Sequence, residues 1–378
     1  MLIKNGLVFT EKGSFEKQSI LTEGGRISMI LPASAMIKYS GEVVDAKGCY
    51  IIPGLTDIHL HGCAGRDFCE GTADAIKTIA EYELSQGVTS FCPATMTLPD
   101  NKLEQILSCA AAYSKAAPRK GCAELLGIHL EGPFISDAKK GAQKGEYIQK
   151  PGEAKIEKWQ QAAGGLIRLV TIAPELEGAV DCIQKHRNIH FSIGHTACSY
   201  GEAMRAFETG ADHVTHLYNA MPPFLHRETG VIGAAFDRGD VFVELICDGV
   251  HISPTTIRAA FKLFGEDRVV LISDSMEAAG MPDGEYRLGE QAVYVSGSKA
   301  LLDNGALAGS VTPLYKCMLN AAAFGIPLEA AVKAATINPC RSIGADKDYG
   351  SIAIGKRAAF VLLEQRGLSI KRVILENE

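Results

Sequence analysis

The central part of the chain alternates short apolar runs with longer amphipathic segments. Residues 102–113 illustrate the longer type, because Leu103, Ile106, Leu107 and Ala110 recur at the spacing of one helix face and would pack against a sheet. Such alternation is typical of β–α units around a parallel sheet. The runs of strand type cover 51–58, 88–92, 125–130, 169–172, 189–193, 213–217, 241–246 and 269–272.

Eight such units across about 290 residues predict a (β/α)8 barrel, whose usual size is about 250 residues or more. A doubly wound sheet is the alternative, but no Gly-x-Gly-x-x-Gly sequence follows an early strand. The pattern therefore predicts an α/β protein built on a TIM-type barrel.

Both ends of the chain depart from this pattern and carry short strand-like runs without helices. These runs lie at 2–3, 6–9, 19–21, 26–30, 350–354, 359–363 and 370–375. Gly24-Gly25 separates two of them as a hairpin turn would. Because neither end has enough strands for a stable sheet, we expect residues 1–53 and 347–378 to form one small β domain and residues 54–346 to form the barrel.

The composition is that of an ordinary soluble globular protein, with 47% hydrophobic and 22% charged residues. A net charge of −6 and the lack of long Lys/Arg runs argue against binding to nucleic acid or to an anionic membrane. The N-terminal residues lack the apolar region of a signal peptide, and no apolar stretch reaches the length of a transmembrane helix. The eleven cysteines are scattered without a Cys-x-x-Cys pair, which predicts reduced thiols and a cytoplasmic protein.

Polar residues follow the apolar runs at the points where the strands would end. In a (β/α)8 barrel this end of the strands carries the chemistry. Two histidines at i and i+2, as after the first run, point to the same face of a strand. The residues concerned are His59, His61, Glu131, His195, His216, Asp248, His251 and Asp274. Unrelated histidines at a strand end would explain one pair, but not a set that shares one edge of a sheet.

Histidine and carboxylate side chains in such a set are ligands for Zn²⁺ or Fe²⁺. Glu131, His195 and His216 would form a three-ligand site with an open position, as catalytic metal sites do. His59 and His61 would hold a second ion beside it, with Glu131 shared. We therefore expect one or two divalent metal ions per chain.

Asp274, after the last run, is predicted to be the catalytic acid and base. A metal ion lowers the pKa of water from 15.7 towards about 7, and a nearby carboxylate can accept that proton and later deliver it to a leaving group. For His129 two places stay open, lining the barrel or packing beneath the site, and the role of His226 is open too. The histidines before or at strand starts are interpreted as structural: His186, His190 and His213.

Seven motifs resemble the amidohydrolase superfamily, and within it the N-acetylglucosamine-6-phosphate deacetylase family, over essentially the whole chain. They are PGLTDIHLHG, HLEGPFIS, IGHT, HLYNAMPPFLHRETG, CDGVHISP, SDSMEAAGMPDGEYRLG and LAGS. The resemblance implies a metal-dependent barrel with a small β-sandwich built from both termini. It also implies hydrolysis of the acetamide of N-acetyl-D-glucosamine 6-phosphate to D-glucosamine 6-phosphate and acetate. The alternatives are the galactosamine epimer as substrate, or a non-catalytic scaffold, which the intact ligand set argues against.

The same resemblance implies a set of substrate-binding residues. Arg227 would bind the phosphate, with Asn219 and the backbone N–H of Ala220 as further donors, and would reach across a homodimer interface. An exposed arginine in a proline-rich loop is the alternative for Arg227. Gln143 stands where histidine also occurs in the family, so its role in orienting the acetyl carbonyl is open. The sugar itself would be held by Ala142, His251, Leu307, Ala308 and Gly309.

Overall fold

The computed structural model of the protein describes residues 1–35, 38–116 and 120–376. Within these ranges the strands are β1 (Leu2–Phe9), β2 (Phe15–Glu23), β3 (Arg26–Pro32), β4 (Val43–Asp45), β5 (Cys49–Pro53), β6 (Leu55–Leu60), β7 (Gly62–Cys63), β8 (Arg66–Asp67), β9 (Val88–Thr95), β10 (Glu124–Leu125), β11 (Ile128–Glu131), β12 (Ile167–Ile172), β13 (His190–Ile193), β14 (His213–Val214), β15 (Phe242–Ile246), β16 (Val269–Ile272), β17 (Gly284–Leu288), β18 (Gln291–Ser296), β19 (Lys299–Leu301), β20 (Ala359–Glu364) and β21 (Ile370–Leu375). The α-helices are α1 (Ala73–Ser85), α2 (Asp100–Lys115), α3 (Glu153–Ala162), α4 (Ala179–Lys185), α5 (Tyr200–Thr209), α6 (Gly230–Asp237), α7 (Pro254–Phe264), α8 (Leu314–Ala323), α9 (Leu328–Ala335) and α10 (Ile337–Ser342). Short 3-10 helices cover Phe68–Glu70, Asp137–Lys139 and Gly145–Tyr147.

Eight parallel strands form a nearly closed barrel, in the spatial order β6-β9-β11-β12-β13-β14-β15-β16. The last strand meets the first through backbone hydrogen bonds near or just beyond the strand ends. Asp274 N donates to His59 O at 2.9 Å, and His61 N donates to Ser275 O at 2.7 Å. The predicted (β/α)8 fold is confirmed, and its closure lies at the edge where the polar residues were expected.

The helices form the outer layer, and their apolar stripes pack against the strands. Helix α2 buries Leu103, Ile106 and Leu107, as their spacing predicts. Burial of one such side chain stabilises the fold by about 1.5–3 kcal/mol. None of the helices in the described ranges has both the length and the apolar character needed to cross a membrane.

The first predicted strand, 51–58, is wrong as a single element, because it contains parts of two strands in different sheets. Strand β5 pairs with β1 and β20, whereas β6 begins the barrel. Gly54 stands between them, and a Cβ atom there would lie 2.0 Å from the Thr89 hydroxyl oxygen. The third run, 125–130, is likewise divided between β10 and β11. Barrel strands are buried on both faces, so an apolar run does not mark such a break.

Both termini combine in a second sheet, in the order β21-β20-β5-β1-β2-β3 with β4 beside β1. The hairpin between β2 and β3 turns at Gly24-Gly25, as predicted. The predicted strand at 350–354 is wrong, because this segment forms bends and turns, although Ile352 is buried in the small core with Phe360. A β unit built from both ends is thus present, and its boundaries at 53/54 and 346/347 stay a prediction.

A third sheet, of the antiparallel strands β17, β18 and β19, follows the last barrel strand. The sequence prediction has no counterpart for it. Leu288, at the end of β17, lines the cavity at the mouth of the barrel. This small sheet therefore contributes one residue to the wall of the site.

Candidate active site

The polar residues predicted at the strand ends converge at one mouth of the barrel. Those of the predicted metal and catalytic set are His59, His61, Glu131, His195, His216 and Asp274. All six are buried. All except His59 line a cavity of about 340 Å³, and His59 lies behind them.

Glu131 is the centre of this cluster, and its two carboxylate oxygens face different histidines. Oε1 lies 3.3 Å from His59 Nε2 and 3.2 Å from the Nε2 atoms of His195 and His216. Oε2 lies 3.2 Å from His61 Nε2. The carboxylate therefore joins the two predicted ligand sets, one with His195 and His216 and the other with His59 and His61.

The spacing of these atoms fits a divalent metal centre. His195 Nδ1 donates to Lys139 O at 2.9 Å, which leaves the lone pair of His195 Nε2 facing His216 Nε2 at 3.0 Å. Two imidazole nitrogens at this distance are natural neighbours on one ion, because bonds of about 2.0–2.1 Å in a tetrahedron hold ligand atoms about 3.3 Å apart. His59 Nε2 is buried and has no hydrogen-bond partner within the described chain. The donor set thus has both the spacing and the unsatisfied atoms that a metal ion requires.

The acids of the cluster stabilise positive charge on their neighbours. Burial acts to lower the pKa of His61, but its contacts with Asp274 and Glu131 outweigh burial and raise that pKa to about 10. Burial likewise acts to raise the pKa of Glu131, yet the surrounding histidines, His59 first, hold it well below its usual value. The site therefore attracts cations, and a metal ion would bind in competition with protons.

Several site residues have backbone φ angles in the left-handed region. The angles are 46° at His195, 27° at His216, 48° at Ala220 and 48° at Asp274. Residues other than glycine seldom adopt this conformation, which costs on the order of 1–3 kcal/mol each. These tight turns follow β13, β14 and β16 directly, and their strain is concentrated at the residues expected to carry function.

Asp274 lies at the edge of the histidine cluster and lines the cavity. Its Oδ1 is 3.4 Å from His61 Nε2 and 3.7 Å from His59 Nε2. Burial acts to raise the pKa of Asp274, but His59 and His61 outweigh burial and lower it. Backbone hydrogen bonds from Asp274 N to His59 O and from Ser310 N to Asp274 O hold the residue in place. Asp274 is therefore an ionised carboxylate in a defined position, able to accept a proton.

Gln143 faces the carboxylate of Glu131. Its Nε2 donates to Glu131 Oε2 at 2.7 Å, and its Oε1 accepts from Thr97 N at 2.6 Å. The donor N–H of Thr97 requires the amide oxygen on its side, so the amide nitrogen must point to Glu131. The amide thus holds Glu131 in the orientation that its histidine contacts require.

Most of the residues predicted to bind substrate line the cavity. They are Ala142, Asn219, Ala220, His251, Leu307 and Gly309. Ala308 is buried behind this wall, where its N–H donates to Ala300 O at 3.1 Å. His251 Nδ1 lies 2.7 Å from Asp248 Oδ2. Burial acts against a charged His251, but Asp248 outweighs burial and raises the pKa of His251.

Arg227 does not line the cavity of its own chain. It is exposed in the loop before α6, where its Nη1 lies 2.5 Å from His226 Nε2. It lines a separate cavity of about 720 Å³, together with Leu225 and Tyr200. Phe224 and Leu225 are 45% and 48% exposed. The contribution of Arg227 to a partner's site is compatible with this position and stays a prediction.

Glu244 of β15 is a residue of the site that the sequence prediction missed. An acidic residue inside an apolar strand was the available signal, since charged side chains are rarely buried without a partner. Glu244 Oε2 lies 2.9 Å from His59 Nδ1 and 3.1 Å from His216 N. His129 packs beneath the site, with ring centroids 4.4 Å from His59 and its Nε2 2.7 Å from Thr171 Oγ1.

A sequence model of the Amidohydrolase family matches residues 50–376, which include every strand of the barrel. This chain belongs to the amidohydrolase family. The family is metal-dependent, and the clusters of histidine and glutamate in this member suit that requirement. The enzyme class follows from this family membership, because an amidohydrolase hydrolyses an amide bond.

Two named relatives and one solved structure match this amidohydrolase over nearly its whole length. N-acetylglucosamine-6-phosphate deacetylase of Bacillus subtilis (strain 168) is 36% identical over 368 residues, which cover 96% of this chain and 93% of the relative. N-acetylgalactosamine-6-phosphate deacetylase of Escherichia coli O157:H7 is 31% identical over 375 residues, which cover 98% and 97%. An Asp-to-Ala variant of N-acetyl-D-glucosamine-6-phosphate deacetylase from Mycobacterium smegmatis, solved with N-acetyl-D-glucosamine-6-phosphate, is 30% identical with a TM-score of 0.91, covering 99% of this chain and 97% of that one.

Proposed function

We propose that this amidohydrolase is a metal-dependent deacetylase that converts N-acetyl-D-glucosamine 6-phosphate to D-glucosamine 6-phosphate and acetate. The observation that carries the proposal is the convergence of Glu131, four histidines and Asp274 beside one cavity. Relatives that bear this name match nearly the whole chain. Amide hydrolysis requires an activated water, an electrophilic carbonyl and a protonated leaving amine, and this set of side chains can support all three.

The metal would be bound by side chains that already face one another. Glu131, His195 and His216 would hold one divalent ion, Zn²⁺ or Fe²⁺, and His59 and His61 would hold a second, with Glu131 shared. When bound, such an ion supplies a Lewis acid that polarises a carbonyl and makes water more acidic. The carboxylate of Glu131 contacts both ligand sets, Oε1 through His59, His195 and His216 and Oε2 through His61, which supports two ions per chain.

Asp274 would carry the proton. It would accept a proton from the attacking water as the new C–O bond forms, and return it to the amide nitrogen as the C–N bond breaks. The water oxygen then leaves in acetate, and the nitrogen leaves as the amine of the sugar. The ionised state of Asp274 and its place on the cavity wall support this role.

The sugar would occupy the cavity of about 340 Å³, in contact with Ala142, His251, Leu307 and Gly309, with Ala308 in the layer behind them. The galactosamine epimer is the second candidate substrate, because a relative with that name is 31% identical over 98% of this chain. The two epimers differ in the configuration of one hydroxyl group. Specificity would therefore depend on a small number of polar contacts in this cavity.

The phosphate would be bound by Asn219, the N–H of Ala220 and Arg227 from the second chain of a homodimer. A guanidinium group offers a planar pair of donors that suits phosphate oxygens. The exposed Phe224 and Leu225 beside Arg227 support a protein interface at this loop. The dimer would thus complete each active site.

We also propose a cytoplasmic location. All eleven cysteines are free thiols, and all but Cys109 are buried. Reduced cysteines are typical of the cytoplasm, whereas oxidising compartments favour disulfides.

The function is tested by measuring acetate release from both epimers with purified protein. Chelation should abolish the release, and Zn²⁺, Fe²⁺, Co²⁺ or Mn²⁺ should restore it. We expect the higher kcat/KM with the glucosamine epimer. Full activity of the metal-free protein would refute the metal requirement, and a metal-loaded protein that deacetylates neither epimer would refute the function.

A further inference from the structure

We propose that Glu244 is a positioning residue for the second metal ion, because it holds His59 with Nδ1 protonated and Nε2 directed towards Glu131. The inference deepens the proposed metal centre and rests on it. Glu244 touches neither the cavity nor the proposed substrate. It would act through His59 and through the backbone of His216, while its other oxygen, Oε1, lies 3.5 Å from His213 Nε2.

The hydrogen-bond chemistry determines which ring nitrogen of His59 carries the proton. Glu244 Oε2 lies 2.9 Å from His59 Nδ1, and a carboxylate oxygen only accepts, so Nδ1 must donate. In the neutral ring, Nε2 then presents its lone pair. That atom lies 3.3 Å from Glu131 Oε1 and 3.7 Å from Asp274 Oδ1. A lone pair that faces two carboxylate oxygens is repelled by them unless a cation lies between, so this space is suited to a positive ion.

The ring of His59 is also prevented from turning. The ring of His129 packs against it at 4.4 Å between centroids and an interplanar angle of 68°, and His129 is tied to Thr171 Oγ1. Asp57 Oδ1 accepts from the backbone N–H of His59 at 3.1 Å. With its side chain fully buried, His59 has a single direction in which Nε2 can point.

Of the four proposed histidine ligands, His59 is the one whose Nδ1 atom contacts a carboxylate in the described part of the chain. The ring of His195 is oriented by a backbone carbonyl, Lys139 O. The Nδ1 atoms of His61 and His216 have no hydrogen-bond partner in the described part of the chain. A carboxylate behind a ligating imidazole fixes its tautomer and makes it a stronger donor. Glu244 therefore favours the His59 position specifically, which explains why a costly buried acid lies in the barrel interior.

A second contact of Glu244 decides the choice of variants. The same Oε2 atom accepts from His216 N at 3.1 Å, so removal of the acceptor also disturbs the first ligand set. Glu244→Gln keeps a carbonyl oxygen for both donors, removes the charge and replaces the other carboxylate oxygen with an amide nitrogen. Glu244→Leu removes the acceptor altogether. Thr56→Val is the matched control, because Thr56 lies on the same strand as His59. The change breaks a buried hydrogen bond from Thr56 to Ser90 of β9 without touching a ligand.

The experiment is equilibrium dialysis of the purified full chain against graded free Zn²⁺, with elemental analysis of bound metal and thermal unfolding to establish that each variant is folded. We expect the parent protein and Thr56→Val to bind two ions per chain. Glu244→Leu should raise the Kd of the more weakly bound ion, which we assign to the His59 and His61 position, by roughly 10–100-fold. This is the usual effect of losing such a partner. Glu244→Gln should raise it by a smaller factor and leave the tighter ion unchanged.

Three results would overturn the inference. They are one ion per chain in the parent, an unchanged weaker ion in both Glu244 variants, and equal loss of both ions in Glu244→Gln. Should Glu244→Leu fail to fold, Glu244→Gln decides alone, by weakening the second ion or not. The readout is independent of the proposed function: a parent that deacetylates with one ion refutes this inference only, and one that binds two ions but deacetylates neither epimer refutes the function only.

Discussion

Asp274→Asn replaces one carboxylate oxygen with an amide nitrogen and tests the proposed proton carrier directly. Asp274 has a φ of 48°, a conformation that Asn tolerates better than most residues. Its hydrogen bonds to His59 O and from Ser310 N involve backbone atoms only. The variant should therefore fold with the same turn after β16 and keep its side chain at the cavity wall.

The size of the effect follows from the two steps assigned to this carboxylate. General acid–base catalysis by one residue contributes roughly 10²–10⁴-fold, which is about 2.7–5.4 kcal/mol of activation free energy. Because Asp274 would both accept and return the proton, we expect kcat to fall by at least about 10²-fold. Metal content should stay the same, since His59 and His61 keep their contacts with Glu131 at 3.3 and 3.2 Å.

The assay measures initial rates of acetate release at saturating substrate, together with metal content and thermal unfolding. Asp267→Asn is the control, because it makes the same chemical change at an aspartate that is 69% exposed and paired with Lys333. This control should retain the parent rate. A folded, fully metal-loaded Asp274→Asn protein with kcat within about threefold of the parent would show that Asp274 does not carry the proton, since one catalytic acid or base contributes far more than that.

Three further predictions concern binding and stability. Gln143→Leu removes two buried hydrogen bonds, one of them to an ionised carboxylate. It should lower the free energy of unfolding by about 2–4 kcal/mol in a denaturant titration. A change below about 0.5 kcal/mol would contradict the role of Gln143 in holding Glu131. Arg227→Ala should lower kcat/KM for the 6-phosphate by roughly 10–100-fold, as expected for a charge-assisted contact. Turnover of the unphosphorylated sugar should stay the same. Equal effects on both sugars would refute the assignment of Arg227 to the phosphate. Burial lowers the pKa of His213 below 6.5. As the pH drops below 6.5, the unfolded chain therefore binds a proton at this residue before the folded chain does. The free energy of unfolding falls as a result, by up to about 1.4 kcal/mol per pH unit for one such group. His213→Gln should make that fall shallower, and an identical slope in the two proteins would contradict the assignment.

The sequence by itself determined the class of fold and the end of the barrel that carries the polar cluster. Short apolar runs and helical stripes reflect the repeat distances of the two elements, 2 and 3.6 residues, which are local properties of the backbone. Parallel strands in a barrel bring all their carboxyl ends to one rim. Glu131, His195 and His216 end or follow three different strands, and their meeting in space was therefore predictable without any contact information.

The tertiary structure alone decided how buried polar atoms are paired and where the sheets divide. Glu244 reaches His59 across 185 positions of the sequence, and Gln143 holds Glu131 through a loop that has no regular repeat. The break at Gly54 depends on the close approach of Thr89, which lies on another strand. Periodicity records which face of an element is buried, but closure of the barrel determines which distant atom each buried donor or acceptor meets.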